Sequence, residues 1–248
     1  MNFKRKLTFA ILLLAAASCK KAPLCDCFQG AGPQAADNRT PELIYFNQID
    51  VKDNINVNLT IGPQEQVIIQ GGQNLIKNIS ASVSNNVLTL KNENNCDWLR
   101  SYKKSIITVN ITMPEVTNIE NEGVGTIQST DTINTPNFKI QALSSGNVTL
   151  AVNCSSIYAF QFGACNLTLT GSCGNFQDNF YGGTGFLYAD SLLTAYTYLS
   201  ASTTGDCYVN TSGQLDVIIN QIGNVYYSGN PYPIHITQNG SGQLYKYK

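Results

Sequence analysis

The sequence predicts an all-β fold: a parallel β-helix, or solenoid, of about 20-residue coils preceded by N-terminal strands. Three observations predict it. The composition is rich in Asn, Thr, Ser, Gly, Tyr, Val and Ile, residues that favour strands and turns over helices. Apolar and polar residues alternate in short runs bounded by Gly, Asn or Pro, the pattern of half-buried strands. From residue 123 onward a signature recurs at a near-constant step: glycine, any residue, an apolar residue, then a fourth residue. It reads Gly125-Thr126-Ile127-Gln128, Gly146-Asn147-Val148-Thr149, Cys165-Asn166-Leu167-Thr168, Gly185-Phe186-Leu187-Tyr188, Gly205-Asp206-Cys207-Tyr208, Gly223-Asn224-Val225-Tyr226 and Gly242-Gln243-Leu244-Tyr245. The steps are 21, 19, 20, 20, 18 and 19 residues, and glycine opens six of the seven. Such self-similarity marks units that cannot bury their apolar faces alone and therefore stack.

The first element is a targeting segment. Lys4, Arg5 and Lys6 are followed by an apolar stretch from Leu7 to Ala17. That is short of the roughly 20 apolar residues of a membrane-spanning helix, and it reads as a secretory signal. The small run Ala15-Ala16-Ala17-Ser18 meets Cys19, which resembles the lipobox of bacterial lipoproteins. Cleavage there would make Cys19 a lipidated N-terminus and the membrane a partner through that lipid. Ordinary cleavage leaving a free Cys19 thiol is the alternative. Lys20 stands where an acidic residue would favour the inner membrane, which points to the outer membrane, with the periplasmic and surface faces both open. The domains predicted are a signal peptide over 1–18, a lipidated tether over 19–40 that carries Pro23, Gly30, Gly32 and Pro33, and a β-helical domain over 41–248.

Within the domain, strands begin near Ile44. Ile55, Val57, Leu59 and Ile61 alternate strictly with polar residues. Gln66–Ile69, Val87–Leu90 and Ile106–Ile111 continue the pattern. Each 20-residue unit then holds two strand segments. One starts after the glycine, as in Val148–Val152. The second follows a short turn, at Ile157/Ala159, Phe176, Tyr196/Tyr198, Val217/Ile219 and Ile234/Ile236. A sandwich of hairpins is the rival architecture, and constant unit length with a repeated glycine favours the helix. The glycines would serve corners that need positive φ or close backbone approach.

Stacking places residues in columns. Cys154 lies six residues after Val148 and Cys173 six after Leu167, so the two share a column on adjacent coils, within the Cα separation a disulfide allows. Two stacked thiols are the alternative to a Cys154–Cys173 bond. Cys207 falls in the inward column with Val148 and Leu167, as a small core residue. With Cys19 assigned to lipid, seven cysteines remain, an odd number that leaves at least one thiol unpaired.

Only 12% of residues are charged, the formal net charge is −1 and no basic patch is visible, which argues against a nucleic-acid partner. A single histidine, His235, argues against zinc and against a nucleophile triad, and no cofactor is expected. His235 lies between Ile234 and Ile236 and should point to solvent. Asp131, Asp178, Asp190, Asp206 and Asp216 fall on different coils and columns, unlike the paired carboxylates of a glycosidase. Asp178 should face inward beside Phe176 in a structural hydrogen-bonding role. No catalytic or metal-binding residue is therefore assigned.

The sharper positive feature is aromatic. One residue past the inward apolar position the column reads Gln128, Thr149, Thr168, Tyr188, Tyr208, Tyr226 and Tyr245. Strand alternation points it outward. Four successive tyrosines would form an exposed ladder, suited to binding glycan or protein. Stabilisation of the solenoid face by stacked like side chains is the competing reading.

These residues, taken in order, resemble the family described as the auto-transporter adhesin head, or GIN, domain. The resemblance runs from Ile49-Asp50-Val51 and Ile55–Gly62 through Gln66–Gly71, Val87–Leu90 and Trp98 to Met113-Pro114 and Ile119–Gly125, then through the serial glycine coils, over about residues 44–248. Gly123-Val124-Gly125, Gly183-Thr184-Gly185 and Gly240-Ser241-Gly242 keep pieces of that family's Ser-Gly-Ser-Gly form, and Cys165 replaces one repeat glycine. The resemblance implies a right-handed β-helix at the cell envelope and supplies no catalytic residue. The expected function is a non-enzymatic envelope lipoprotein that binds a glycan or an envelope protein. A structural or sensory envelope protein and a polysaccharide-active β-helix enzyme are the alternatives. The last coil, Gly242 to Lys248, lacks a polar cap, so self-association through the solenoid end is a further expectation.

Overall fold

The computed structural model describes residues 30–40, 44–94 and 106–247. Cys19, Cys25, Cys27, Cys96 and Trp98, together with the signal segment, lie outside the described residues.

The chain order begins β1 (Gln34–Asn38), β2 (Gln48–Val51), β3 (Asn56–Ile61) and β4 (Gln66–Gly72). One helical turn, α1 (Gln73–Ile76), leads to β5 (Ile79–Ser84), β6 (Val87–Asn92), β7 (Thr108–Met113) and β8 (Asn118–Asn121). Five long strands follow: β9 (Ile127–Ala142), β10 (Val148–Gly163), β11 (Leu167–Gly183), β12 (Leu187–Ser202) and β13 (Cys207–Ile219). The chain closes with β14 (Val225–Ser228), β15 (Ile234–Gln238) and β16 (Leu244–Lys246). Together they form a β-solenoid of about seven turns of about 19 residues.

From β9 onward the coils pair in parallel, and the repeat read in the sequence sets the register. Ile127, Val148, Leu167, Leu187, Cys207, Val225 and Leu244 are successive Cα partners. All but Leu244 are fully buried. A second inward column, Phe138, Ile157, Phe176, Thr197 and Leu215, comes from the second segment of each coil. Each fully buried Leu, Ile, Val or Phe contributes about 1.5–3 kcal/mol, so the lumen between the coil walls is the hydrophobic core.

The repeat glycines have a steric reason. A Cβ on Gly146 would collide with the carbonyl oxygen of Gly125, one on Gly205 with that of Gly185, one on Gly223 with that of Gly205, and one on Gly242 with that of Gly223. None of these four has positive φ. Of the two roles expected for them, close backbone approach is the one they fill. The next residue of the corner forms a second device. The side-chain oxygen of Asn147 accepts from the Asn166 amide (2.9 Å), Asn166 from Phe186 (3.0 Å), Asp206 from Asn224 (2.9 Å) and Asn224 from Gln243 (3.0 Å). Four corners thus satisfy an amide of the next, and the chain is interrupted at Phe186, which has no side-chain acceptor. Cys165 takes the glycine place in one coil, and its thiol donates to the Ala142 carbonyl at 3.3 Å.

The N-terminal strands are themselves coils, and their spatial order departs from chain order. β2 lies between β6 and β8, and β3 between β7 and β9, all in parallel. The turn formed by residues 44–61 is thus inserted between two turns that follow it in the chain. Antiparallel pairings of β5 on β6, β4 on β7 and β1 on β4 finish this end. Gln34–Asn38, inside the stretch read as tether, is β1 and belongs to the sheet. It carries no apolar alternation because it is an edge strand held by backbone hydrogen bonds. Ile234 and Ile236 keep the inward register against Leu215 and Val217, yet they are 37% and 47% exposed because no described coil follows them.

Gly205→Val should therefore lower stability by more than about 2 kcal/mol, since the added side chain must force two coil backbones apart. Urea unfolding followed by far-ultraviolet circular dichroism reads this directly, and a wild-type midpoint would show that the corner has room to spare.

Candidate functional site

The outward column appears as the sequence places it. Gln128, Thr149, Thr168, Tyr188, Tyr208, Tyr226 and Tyr245 are consecutive Cα partners. Adjacent strands lie about 4.8 Å apart, close to the separation at which aromatic rings stack. The rings follow suit. Tyr188 and Tyr208 have centroids 5.7 Å apart at 12°, Tyr208 and Tyr226 5.0 Å at 11°, and Tyr226 and Tyr245 5.4 Å at 26°. Phe186 extends the stack below Tyr188 at 5.8 Å. Tyr247 packs edge-on against Tyr208 and Tyr226 and donates its hydroxyl to Asp190 at 2.9 Å. The interior rings therefore spend their faces on one another and present their rims to solvent. Burial pushes the Tyr208 hydroxyl above its ordinary pKa, with the Asp206 carboxylate and the neighbouring tyrosines adding to the rise.

A second aromatic surface was not singled out in the sequence. Tyr196 and Tyr198 belong to the second strand segment, as expected, but Thr197 and Leu199 take its inward positions and both tyrosines face solvent. Tyr158 shares the column of Tyr198 two coils away, and an open groove of about 450 Å³ lies over them. The signal was an alternation shifted by one residue between coils 157–159 and 196–198.

The acids of the repeat coils do not converge. Asp131 accepts from the Ile61 amide, Asp206 from the Asn224 amide, and Asp216 from Gln214. His235 is exposed and places Nδ1 2.6 Å from Asp216 Oδ1. In the N-terminal coils, Lys52 lies 3.3 Å from Asp50 and 3.1 Å from Glu122. Desolvation raises the carboxyls of Asp50 and Glu120 there. Among the described residues no group of three His, Cys, Asp or Glu side chains could hold a metal ion.

Asp178 is inward, as expected, but the hydrogen-bonding role expected for it is not there. It is completely buried between Ala159 and Leu199 in its column, and neither carboxylate oxygen has a hydrogen-bond partner. Burial alone pushes its pKa up to about 7. Column position follows from the repeat. The partners of a side chain in the lumen depend on three elements at once, which no spacing reveals.

Cys154 and Cys173 are Cα partners, in the shared column that the repeat predicts. Both are thiols in this structure. Cys154 is raised chiefly by its hydrogen bond to Cys173, and the same bond holds Cys173 below the ordinary thiol value. Cys207 is buried in the inward column, where desolvation pushes its thiol up.

Comparison with known proteins bears on fold and family. Residues 45–231 match the family described as putative auto-transporter adhesin, head GIN domain. A putative adhesin from Bacteroides fragilis is similar in structure, with a TM-score of 0.79 at 22% identity over 87% of this chain and 97% of that one. A protein from Parabacteroides distasonis described as a putative lipid binding protein has a TM-score of 0.67 at 14% identity over 88% of this chain and 98% of that one. A putative adhesin from Parabacteroides merdae has a TM-score of 0.60 at 16% identity over 88% and 98%. No curated protein matches.

The buried Asp178 fixes the sign of one pH effect. Its folded pKa of about 7 lies above the ordinary 3.8, so between those values the native state binds more protons than the unfolded chain. Its contribution is greatest below pH 4 and is lost as pH rises to about 7, a total of about 4 kcal/mol. Asp178→Asn should match wild type near pH 4 and exceed its stability at pH 8, as read from denaturation midpoints across that range. Equal midpoints at pH 8 would mean that the lumen solvates the carboxylate.

Proposed function

The chain belongs to the putative auto-transporter adhesin head GIN domain family, and from that premise we propose that it is a non-enzymatic, adhesin-type binding module of the cell envelope. Its anchor in this reading is the lipid on Cys19, and the tyrosine ladder is its contact face. The observation that carries the reading is the continuous aromatic rim of Tyr188, Tyr208, Tyr226 and Tyr245, with Tyr188 36% and Tyr245 46% exposed. Tyrosine supplies large contact area at low conformational cost, and its hydroxyl supplies hydrogen bonds. A stack already ordered by its own ring contacts loses little further entropy on binding. Because the rings present rims and hydroxyls, a protein surface is the better match for this strip. The non-enzymatic reading is supported by the acids of the repeat coils, which are hydrogen-bonded or buried on separate coils, and by His235, which is exposed and paired with Asp216.

The test is capture of the full chain, purified in detergent, on panels of envelope proteins and glycans, with release of cleavage products followed in the same wells. Retention without product is expected. The double variant Tyr208→Ala/Tyr226→Ala should lose at least about tenfold in affinity for the captured protein. Product release would overturn the non-enzymatic reading. Unchanged capture by the double variant, with only its thermal midpoint lowered, would make the ladder a stabilising device.

We also propose that Cys154 and Cys173 close as a disulfide in the oxidising envelope. The two thiols would give up two protons and two electrons to a disulfide-bearing oxidant. Alkylation of the denatured, unreduced protein followed by intact mass should then leave both residues unlabelled, and labelling of both would refute the bond.

A further inference from the structure

Coil spacing separates two uses of tyrosine on this solenoid. With a tyrosine on every coil, as at 188, 208, 226 and 245, the rings stack at 5.0–5.7 Å and close off one another's faces. In the outward column of the second strand segment, tyrosine stands on alternate coils. Tyr158, Gln177, Tyr198, Asp216 and His235 are successive Cα partners there. Two strand spacings put Tyr158 and Tyr198 roughly 9.6 Å apart at the backbone, too far for one ring to rest on the other. Among the described residues no ring stacks on Tyr158, Tyr196 or Tyr198. All three are exposed, at 43%, 55% and 36%. With Gln177, Gln214 and Asp216 they line the groove of about 450 Å³, a volume within the range of small-molecule sites.

We infer that this groove binds a neutral saccharide chain. The inference rests on the reading of the protein as a binding module, but it uses a different surface from the ladder. A sugar ring offers apolar C–H faces and a rim of hydroxyls, so its site needs open aromatic faces beside planar amides or carboxylates. The groove supplies both. Carbon contacts of about 3.5–4.0 Å on each face of one ring fit within the separation of Tyr158 and Tyr198. Gln177, which is exposed, and Gln214, which is half-buried, each carry donors and an acceptor in one amide plane. The charge selects further. Asp216 is the one charged residue of the lining. Its carboxylate is held by Gln214 Nε2 at 2.9 and 3.1 Å and by His235 Nδ1 at 2.6 Å. Lys139 and His235 stand on the coils that flank the groove and outside its lining, which itself offers an acidic sugar only a carboxylate to repel it. The groove runs over four coils, about 14 Å along the axis, longer than a single ring, which favours an oligosaccharide. Every wall residue stands on a paired strand, so little has to be ordered on binding.

The experiment is isothermal titration of the full chain in detergent with cellohexaose, maltohexaose, xylohexaose and mannohexaose, and with an oligogalacturonate as the acidic probe. At least one neutral hexamer should bind. Tyr158→Ala and Tyr198→Ala should each weaken it by at least about tenfold at an unchanged thermal midpoint. Tyr198→Phe should stay near wild type, and Tyr208→Ala/Tyr226→Ala should bind the sugar normally. Binding of no neutral hexamer, tighter binding of the acidic probe, or loss of sugar binding in the ladder variant instead of the groove variants would overturn the assignment. If protein capture persists while no sugar binds, the binding-module reading stands and the groove falls. If sugar binds while the ladder variant captures its partner normally, the ladder falls and the groove stands.

Discussion

Each coil must rest on the one before it at a single strand spacing, and the corner is where that is hardest to achieve. At Gly146, Gly205, Gly223 and Gly242 the backbone of one coil runs against the carbonyl of the last, with no room for a side chain. The next residue of four corners, Asn147, Asn166, Asp206 or Asn224, accepts a backbone hydrogen bond from the coil that follows. These contacts bring coils of 18 to 21 residues back into register at each corner. Only then can Ile127, Val148, Leu167, Leu187 and Cys207 form one buried column.

The constraint carries through to the surface. A residue placed once per coil becomes a column, and its spacing is set by the sheet. Tyrosine on every coil yields a self-stacked ladder whose rims alone are free. Tyrosine on alternate coils leaves ring faces open with a polar side chain between them. The two faces of one solenoid thus offer two kinds of contact from one residue type. The ends differ for the same reason. Antiparallel β1, β4 and β5 close the N-terminal end, while Ile234 and Ile236 hold inward register with no described residue stacked beyond them.

What could be read from the sequence was what repeats. The coil steps, the inward column, the tyrosine column and the shared column of Cys154 and Cys173 all follow from the glycine signature. Three features escaped it because they are single events. The turn of residues 44–61 is inserted between later turns, and chain order carries no mark of that. β1 is an edge strand without an apolar face, so its composition reads as tether. Tyr196 and Tyr198 sit one residue out of phase with Ile157 and Ala159, and the shift shows only when Thr197 is seen to take the inward place. Asp178 was placed correctly, but its lack of partners depends on lumen neighbours that no spacing specifies.

Coil spacing, and not residue type, decides whether these rings stack or stay open. Gln177→Tyr tests it most directly, because it fills the one gap between Tyr158 and Tyr198. Tyrosine ring resonances assigned by nuclear magnetic resonance are the measurement. Upfield ring-current shifts at Tyr158 and Tyr198, a thermal midpoint no lower than wild type, and loss of saccharide binding are expected. Unshifted Tyr158 and Tyr198 resonances in a folded variant would contradict it.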